Sequence, residues 1–263
     1  MTPPPNKSHG RISIAPSAVP RDLMADSAKV QGAWMAQVIT LFPDVFPGVL
    51  GASLTGKALS DGLWRLDPID LRMFGDGKHR NVDDTPAGGG AGMVLRADVM
   101  AKAIRFAKSR AAPETPLVYL SPRGRPFDQA MARRFADGPG MTMIAGRFEG
   151  LDQRVIDVFG IEEVSLGDFV MTGGEIAAQA VIDATVRLLP GVIGNAESLE
   201  EESFSRGLLE HPQYTRPADW EGHEIPGVLT SGNHRDVARW RQDEAERLTK
   251  ERRPDLWGAR SED

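Results

Sequence analysis

Residues 141–175 read MTMIAGRFEG LDQRVIDVFG IEEVSLGDFV MTGGE and contain two short runs of strand length, each followed by a glycine-rich turn. The runs are 141–145 and 161–165, and both have the length of a buried strand. The turns that follow them span 146–150 and 167–174. Glycine lets the backbone approach a ligand closely, so strands that end this way favour a binding crevice at the carboxyl edge of a sheet.

The same alternation extends outward through residues 34–194. We predict further strands at 35–41, 66–71 and 117–120, and helices at 44–59, 97–109 and 176–188. The strand at 117–120 also runs into a turn, at 121–125, so three such turns are expected side by side. The pattern predicts an α/β fold with a mainly parallel sheet flanked by helices.

The segments on either side differ in composition. Residues 1–33 contain five prolines and little apolar periodicity, which predicts a disordered N-terminal extension. Residues 195–212 are acidic and polar, which predicts a flexible linker that is disordered without RNA. Residues 213–263 carry turn signals and then an amphipathic segment at 234–252, which predicts a small C-terminal helical domain.

Composition excludes several classes of protein. A net charge of −6 argues against a histone-like nucleic-acid binder, and the absence of cysteine excludes disulfides, cysteine nucleophiles and cysteine-ligated metals. The charge is uneven, because 195–224 holds eight acids and two arginines whereas 105–134 holds seven bases and two acids. The net charge therefore does not exclude a local basic surface that binds RNA. No apolar run approaches a membrane span and no secretory signal is present, so we expect a cytoplasmic protein without a membrane partner.

Common catalytic signatures are missing. The sequence has no G-x-S-x-G, no H-E-x-x-H and no dinucleotide fingerprint, and the glycine run at 88–92 lacks the lysine of a P-loop. The five histidines are too scattered along the chain to propose a metal site.

Several strings stand in a fixed order along the chain: Thr40-Leu41-Phe42-Pro43, Val82-Asp83-Asp84, Gly88-Gly89-Gly90, Leu120-Ser121-Pro122, GRFEG at 146–150 and Gly173-Gly174-Glu175. Tyr214-Thr215-Arg216-Pro217 and Ser231-Gly232-Asn233-His234 follow near the C-terminus. Over residues 38–256 the chain resembles the bacterial tRNA (guanine-N1)-methyltransferases, which are knotted enzymes of the SPOUT class.

The resemblance implies a fold, a reaction and partners. The fold is an α/β domain with a deep trefoil knot, in a homodimer whose active sites lie at the subunit interface. The reaction is methyl transfer from S-adenosylmethionine to N1 of the guanosine immediately 3′ of the tRNA anticodon, at tRNA position 37. Two alternatives stay open: another SPOUT methyltransferase that acts on ribosomal RNA or on ribose, and a catalytically silent RNA-binding homologue.

The resemblance also implies a donor site. The positions that match it are Tyr119, Leu120, Ser121, Pro122, Gly146, Leu166, Gly167, Asp168, Phe169, Val170, Met171, Gly173 and Gly174.

Methylation of guanine N1 needs a base to remove the N1 proton and a cation to stabilise charge on O6. Arg187 matches the arginine that supplies this cation in the family. At the position of the family's linker aspartate this chain has Glu202, which keeps the charge but is one methylene longer. Glu200 and Glu201 are conceivable substitutes.

Further positions match substrate contacts of the family: Asp83, Asp84, Arg147, Glu149, Lys78 and Arg80. Glu149 is also a candidate for a role linked to Mg²⁺, although no protein metal site is assigned. Ala87 and Ala91 depart from the tyrosine and proline expected in the loop after Asp84. Candidate phosphate contacts are Arg123 and Arg125, with Arg235, Arg239 and Arg241 in the C-terminal domain.

Overall fold

The computed structural model describes residues 32–194 and 202–259. Most of the predicted extension at 1–33 and the first part of the predicted linker, 195–201, lie outside these residues. The α/β region contains seven strands and five α-helices within 32–194: β1 (Trp34–Thr40), α1 (Ser53–Ser60), β2 (Trp64–Asp70), β3 (Asp83–Asp84), β4 (Val94–Leu95), α2 (Ala97–Arg110), β5 (Leu117–Pro126), α3 (Gln129–Ala136), β6 (Gly140–Ala145), α4 (Gln153–Phe159), β7 (Glu162–Ser165) and α5 (Glu175–Val186).

Five strands form one sheet in the order β2-β1-β6-β5-β7, and every neighbouring pair is parallel. The predicted α/β class with a mainly parallel sheet is therefore confirmed. The trefoil knot stays a prediction of the resemblance. β3 and β4 form a separate antiparallel pair.

The sheet separates two apolar cores because alternate residues of each strand face opposite sides. On β1, Val38 packs into the core that also holds Phe135 and Ile182, while Ile39 packs into the core with Met100 and Ile104. Helices thus cover both faces, and the carboxyl ends of the strands stay open at one edge. This is the arrangement in which parallel sheets bind ligands.

The helix predicted at 44–59 was wrong over its first half. Residues Pro43–Val45 and Gly48–Gly51 form two short 3₁₀ turns, and the α-helix begins only at Ser53. Pro47 has no N–H to donate inside a helix, and Gly48 adopts a φ of +55°. Of the apolar residues at helical spacing in 44–59, Phe46 and Leu50 are buried, whereas Val49 and Leu54 are exposed.

β5 continues beyond the predicted strand at 117–120. After Leu120 it loses register with β7 and resumes at Arg125, which pairs with Val164. Residues 121–124 therefore bulge away from the ladder at the open edge of the sheet. Helix α4 was not predicted, although its buried residues Val155 and Ile156 close one side of the sheet.

The C-terminal region contains a short hairpin, β8 (Asp219–Trp220) with β9 (His223–Glu224), and then α6 (Gly227–Thr230), α7 (His234–Arg252) and α8 (Pro254–Ala259). Helix α7 has the predicted bounds, and its N-cap Asn233 accepts hydrogen bonds from the backbone N–H groups of Arg235 and Asp236. The hairpin was not predicted. Residues 202–212 run against α7, where Leu209 N–H donates to Thr249 Oγ1 at 2.8 Å. The proposed domain boundaries and the flexibility of the linker stay predictions.

Candidate functional site

The three turns after β5, β6 and β7 enclose a cavity of about 360 Å³ at the carboxyl edge of the sheet. All of the predicted donor-site residues except Gly167 and Asp168 line it: Tyr119, Leu120, Ser121, Pro122, Gly146, Leu166, Phe169, Val170, Met171, Gly173 and Gly174. Gly167 and Asp168 lie in the same loop, between Leu166 and Phe169. The volume falls within the range of about 300–1,000 Å³ that is typical of small-molecule sites.

Glycines allow the turns to pack against one another. A Cβ atom on Gly146 would lie 2.7 Å from the ring of Tyr119, and one on Gly174 would lie 2.7 Å from Ala145 Cα. Gly174 N–H donates to Gly146 O at 2.9 Å, so the last turn is bonded to the middle one. Burial raises the pKa of Tyr119, whose phenol is therefore neutral beside the cavity.

Arg147 and Glu149, two predicted substrate contacts, line the same cavity. Arg147 is paired with the buried Glu175, with Nη2 and Oε2 2.7 Å apart, and its guanidinium lies 4.4 Å from the ring centre of Phe42. Glu149 is exposed, and its backbone N–H donates to Met93 O at 2.9 Å. The loop between β3 and β4 thereby reaches the rim of the cavity.

The other predicted substrate contacts precede that loop in the chain. Asp83 and Asp84 form β3, and Asp84 lines a separate open groove beside α2 and α4. Lys78 and Arg80 are exposed in the turn that precedes β3. The structure therefore does not bring Lys78, Arg80, Asp83 or Asp84 to the lining of the cavity.

Arg187 and Glu202 form a two-bond ion pair, although 14 residues separate them in the chain. Arg187 follows the last residue of α5, and its Nη1 donates to Glu202 Oε2 at 2.7 Å while Nη2 donates to Oε1. The hydrogen bonds from Arg187 lower the pKa of Glu202, and desolvation opposes them in part. The same pairing raises the pKa of Arg187. Both side chains keep about a third of their surface exposed, at 30% and 31%.

The ion pair and the cavity are separate within one chain. Neither Arg187 nor Glu202 is among the described residues that line the cavity. Glu202 instead lines a smaller cavity of about 160 Å³ between the segment 202–211 and helix α7.

A model of the family described as tRNA (Guanine-1)-methyltransferase TrmD matches residues 34–259. The chain belongs to this family. Curated relatives named tRNA (guanine-N(1)-)-methyltransferase agree with the match. One from Ruegeria sp. (strain TM1040) is 66% identical over 236 residues, which cover 90% of this chain and 97% of the relative. One from Cereibacter sphaeroides (strain ATCC 17023) is 67% identical over 233 residues, or 88% and 94% of the two chains. One from Nitrobacter winogradskyi is 61% identical over 228 residues, or 87% and 95%.

Membership of the tRNA (guanine-1)-methyltransferase family confirms the resemblance and the enzyme class. Methyltransferases in general use S-adenosylmethionine as the methyl donor. Within the ranges 32–194 and 202–259 no group of three or more His, Asp or Glu side chains could hold a metal ion. Across those same ranges, no helix has the length and apolar character to cross a membrane.

Two features of the site were not predicted. Glu175 was identified as part of a family string, but not as the partner of Arg147. Phe148 is 53% exposed at the cavity and has a φ of +58°, which is unusual for a bulky side chain. The signal for Glu175 was an acidic residue directly after two glycines, which also reads as an ordinary helix start.

Proposed function

We propose that this chain transfers a methyl group from S-adenosylmethionine to N1 of the guanosine immediately 3′ of the anticodon in tRNA. The observation that carries the proposal is the ion pair of Arg187 and Glu202, since it joins the cation and the base that N1 methylation requires. Family membership and the names of the relatives support the same reaction. No observation favours the ribosomal, ribose-directed or silent alternatives.

The Watson–Crick edge of guanine presents the N1–H donor beside the O6 acceptor. Glu202 can accept the N1 proton, and Arg187 can donate to O6 as negative charge builds there. In the resting chain each group satisfies the other. Once Arg187 bonds to O6, it withdraws hydrogen bonds from Glu202, so the pKa of Glu202 rises and the carboxylate becomes a stronger base.

The donor would be held by the three turns around the cavity. S-adenosylmethionine supplies an electrophilic methyl group on a sulfonium. Gly146 and Gly174 would let the backbone approach the donor closely, and Leu166 and Met171 would provide an apolar wall. Direct transfer to N1 suits a chain without cysteine, because the chain offers no thiol to carry the methyl group.

We further propose a homodimer with each active site at the subunit interface. The support is twofold. The ion pair of Arg187 and Glu202 does not line the cavity in one chain. In addition, Val49 and Ile176 are 72% and 66% exposed on adjoining segments, where Gln179 Nε2 donates to Val45 O at 3.2 Å. A second copy that covers this apolar surface would remove it from water.

tRNA binding is assigned to exposed basic side chains, of which Arg123 also lines the cavity. They are Lys78, Arg80, Arg123, Arg125, Arg235, Arg239 and Arg241. Any Mg²⁺ would be held by Glu149 together with oxygens of the donor or of RNA, since Mg²⁺ commonly takes only one or two protein carboxylates. We place the enzyme in the cytoplasm, where its tRNA substrate is.

The deciding experiment measures methyl transfer to unmodified tRNA transcripts that carry either guanosine or adenosine 3′ of the anticodon. We expect transfer to the guanosine transcript alone, with 1-methylguanosine as product. Transfer to neither transcript, with donor binding intact, would favour the silent homologue. Transfer to both would point to another target.

A further inference from the structure

Glu175 is a buried carboxylate at the first position of α5, and it joins three parts of the molecule. The residue is only 4% exposed. Its Oε1 accepts from Thr40 Oγ1 at 2.8 Å, and its Oε2 accepts from Arg147 Nε at 2.9 Å. Thr40 ends β1, and Arg147 lies two residues beyond β6. A buried carboxylate is stable only when its partners satisfy it, and each contact here comes from a donor.

The backbone N–H group of Phe42 determines which way the hydrogen bond between Thr40 and Glu175 runs. Phe42 N–H donates to Thr40 Oγ1 at 3.0 Å, so the Thr40 hydroxyl is free to donate its own proton to Glu175. Both carboxylate oxygens therefore act as acceptors within the protein. Glu175 is also absent from the described lining of the cavity, so it can influence a ligand only through Arg147.

Arg147 is fixed from three sides. Glu175 takes Nε and Nη2, Thr172 O accepts from Nη1 at 3.2 Å, and the ring of Phe42 lies under the guanidinium. Arginine carries five N–H groups, so these contacts leave one on Nη1 and one on Nη2 without an acceptor among the described residues. One N–H group on each Nη atom is therefore left to donate, and a guanidinium that donates from both Nη atoms can bind both oxygens of a carboxylate.

The neighbouring sequence makes room for this arrangement. A Cβ atom on Gly173 would collide with the Arg147 guanidinium and would lie 2.6 Å from Glu175 Oε2. Arg123 also lines the cavity, but its side chain is 61% exposed against 25% for Arg147, and it is paired with Glu163. Arg147 is therefore the more deeply buried cation at the cavity.

We propose that Glu175 is a positioning residue, which holds Arg147 so that its two remaining N–H groups bind the carboxylate of the amino-acid moiety of the methyl donor. The inference rests on the proposed function for the identity of the ligand. It adds a recognition element for one chemical group of that ligand, since the carboxylate is the only anionic group of S-adenosylmethionine.

The test is calorimetric titration of the purified full chain with two nucleosides. One is S-adenosylhomocysteine, and the other is S-adenosyl-3-thiopropylamine, which is the same molecule without its carboxylate. The measured quantity is the ratio of their dissociation constants. For the wild-type chain we expect the carboxylate to improve binding by about tenfold or more, as for other charge-assisted hydrogen bonds.

Two variants distinguish the effect of the length of the Glu175 side chain from the effect of its charge. Glu175→Asp keeps the charge but is too short to bridge Thr40 and Arg147, and we expect the ratio to fall below about threefold. Glu175→Gln keeps the length and one acceptor oxygen, and we expect it to retain a ratio within about threefold of the wild-type value. Affinity for the decarboxylated nucleoside should stay unchanged in both variants.

Further variants keep the test decisive if Glu175→Asp does not fold. Arg147→Lys removes the two Nη donors, and Thr40→Val removes one bond to Glu175, so both should lower the ratio. Arg134→Lys is the matched control, because Arg134 pairs with Glu162 on the surface, away from the cavity. That variant should keep the wild-type ratio.

Three results would overturn the proposal. A wild-type ratio near one would refute the carboxylate contact. If Glu175→Asp or Arg147→Lys has the same ratio of dissociation constants as the wild-type chain, the positioning role is refuted. An equal loss of affinity for both nucleosides would assign Glu175 a purely structural role. These titrations use no tRNA, so a failure of methyl transfer to tRNA would refute the proposed function without changing the ratio.

Discussion

At the scale of single residues, the chemistry depends on whether Glu202 removes the N1 proton. We expect Glu202→Gln to lower turnover with guanosine-containing tRNA by about 10²–10⁴-fold, because the amide cannot accept the proton. Donor affinity should stay near the wild-type value, since Glu202 does not line the donor cavity. Single-turnover kinetics and donor titration measure the two quantities.

Matched controls for this prediction are Glu200→Gln and Glu201→Gln, the neighbouring acids in the sequence. They should keep turnover near the wild-type rate. Near-normal turnover in Glu202→Gln, or a large loss in either neighbour instead, would move the base to another residue.

Arg187 determines the acidity of Glu202 in the resting chain. Its hydrogen bonds lower the pKa of Glu202 in the folded state, so the pair stabilises the fold above the usual glutamate pKa. That stabilisation is lost as the pH falls through the lowered value. We expect Arg187→Ala to raise the pKa of Glu202, as measured by NMR titration of carboxyl-labelled glutamate. An unchanged midpoint would show that the pair does not form in solution.

At the scale of elements, the turns after β6 and β7 depend on close backbone contact. Gly174 has an ordinary φ of −81°, so an added methyl group acts by collision with Ala145 and Gly146 and not by backbone strain. We expect Gly174→Ala to weaken donor binding by about tenfold and to cost about 1–3 kcal/mol of unfolding free energy.

Gly138→Ala provides the control for that collision. A Cβ atom at Gly138 would have its nearest neighbour at 3.5 Å, which is ordinary contact. Its unfolding free energy should change by less than about 0.5 kcal/mol, and its donor affinity should be unchanged. Equal effects of the two substitutions, in chemical denaturation and in donor titration, would contradict the argument.

Some elements could be predicted from the sequence, and others could not. The strands at 117–120, 141–145 and 161–165 were predicted because runs of strand length that lead into glycine-rich turns are typical of buried strands. The 3₁₀ turns at 43–51 were not predicted, because the apolar spacing of this segment is also that of a helix. The pairing of Glu175 with Arg147 needs tertiary contact between residues 28 apart, which no local pattern encodes. The residues Arg187 and Glu202 came from the family resemblance and not from spacing.

At the scale of the whole molecule, an acidic protein must bind an acidic RNA. Local basic groups can do so while the net charge stays at −6, since each phosphate contact releases counterions. We expect the affinity for tRNA to fall steeply with salt, and we expect Lys78→Ala with Arg80→Ala to reduce the logarithmic slope by about 1–2. Filter binding at several salt concentrations measures the slope. An unchanged slope would exclude these two residues from the interface.

The proposed dimer is tested at the exposed apolar surface. One chain has a mass of 28.6 kDa, and light scattering should report twice that value. Ile176→Asp places a charge on the surface and should shift the mass toward the monomer, because a buried unpaired charge is strongly unfavourable. Lys108→Asp, on the far face at α2, should stay dimeric. A monomeric wild-type chain at micromolar concentration would refute the dimer.

The order of strands in the sheet has a consequence for how the chain is made. Among the strands within 32–194, β1 leaves the ribosome first. Its neighbour β6 follows about a hundred residues later, and Trp34 Nε1 donates to Phe135 O across 101 residues. At about 5–20 residues per second, the first strand waits for roughly 5–20 s with one edge unpaired. Sheets with such distant pairing also fold slowly. We therefore expect the yield of folded chains to be sensitive to the speed of synthesis.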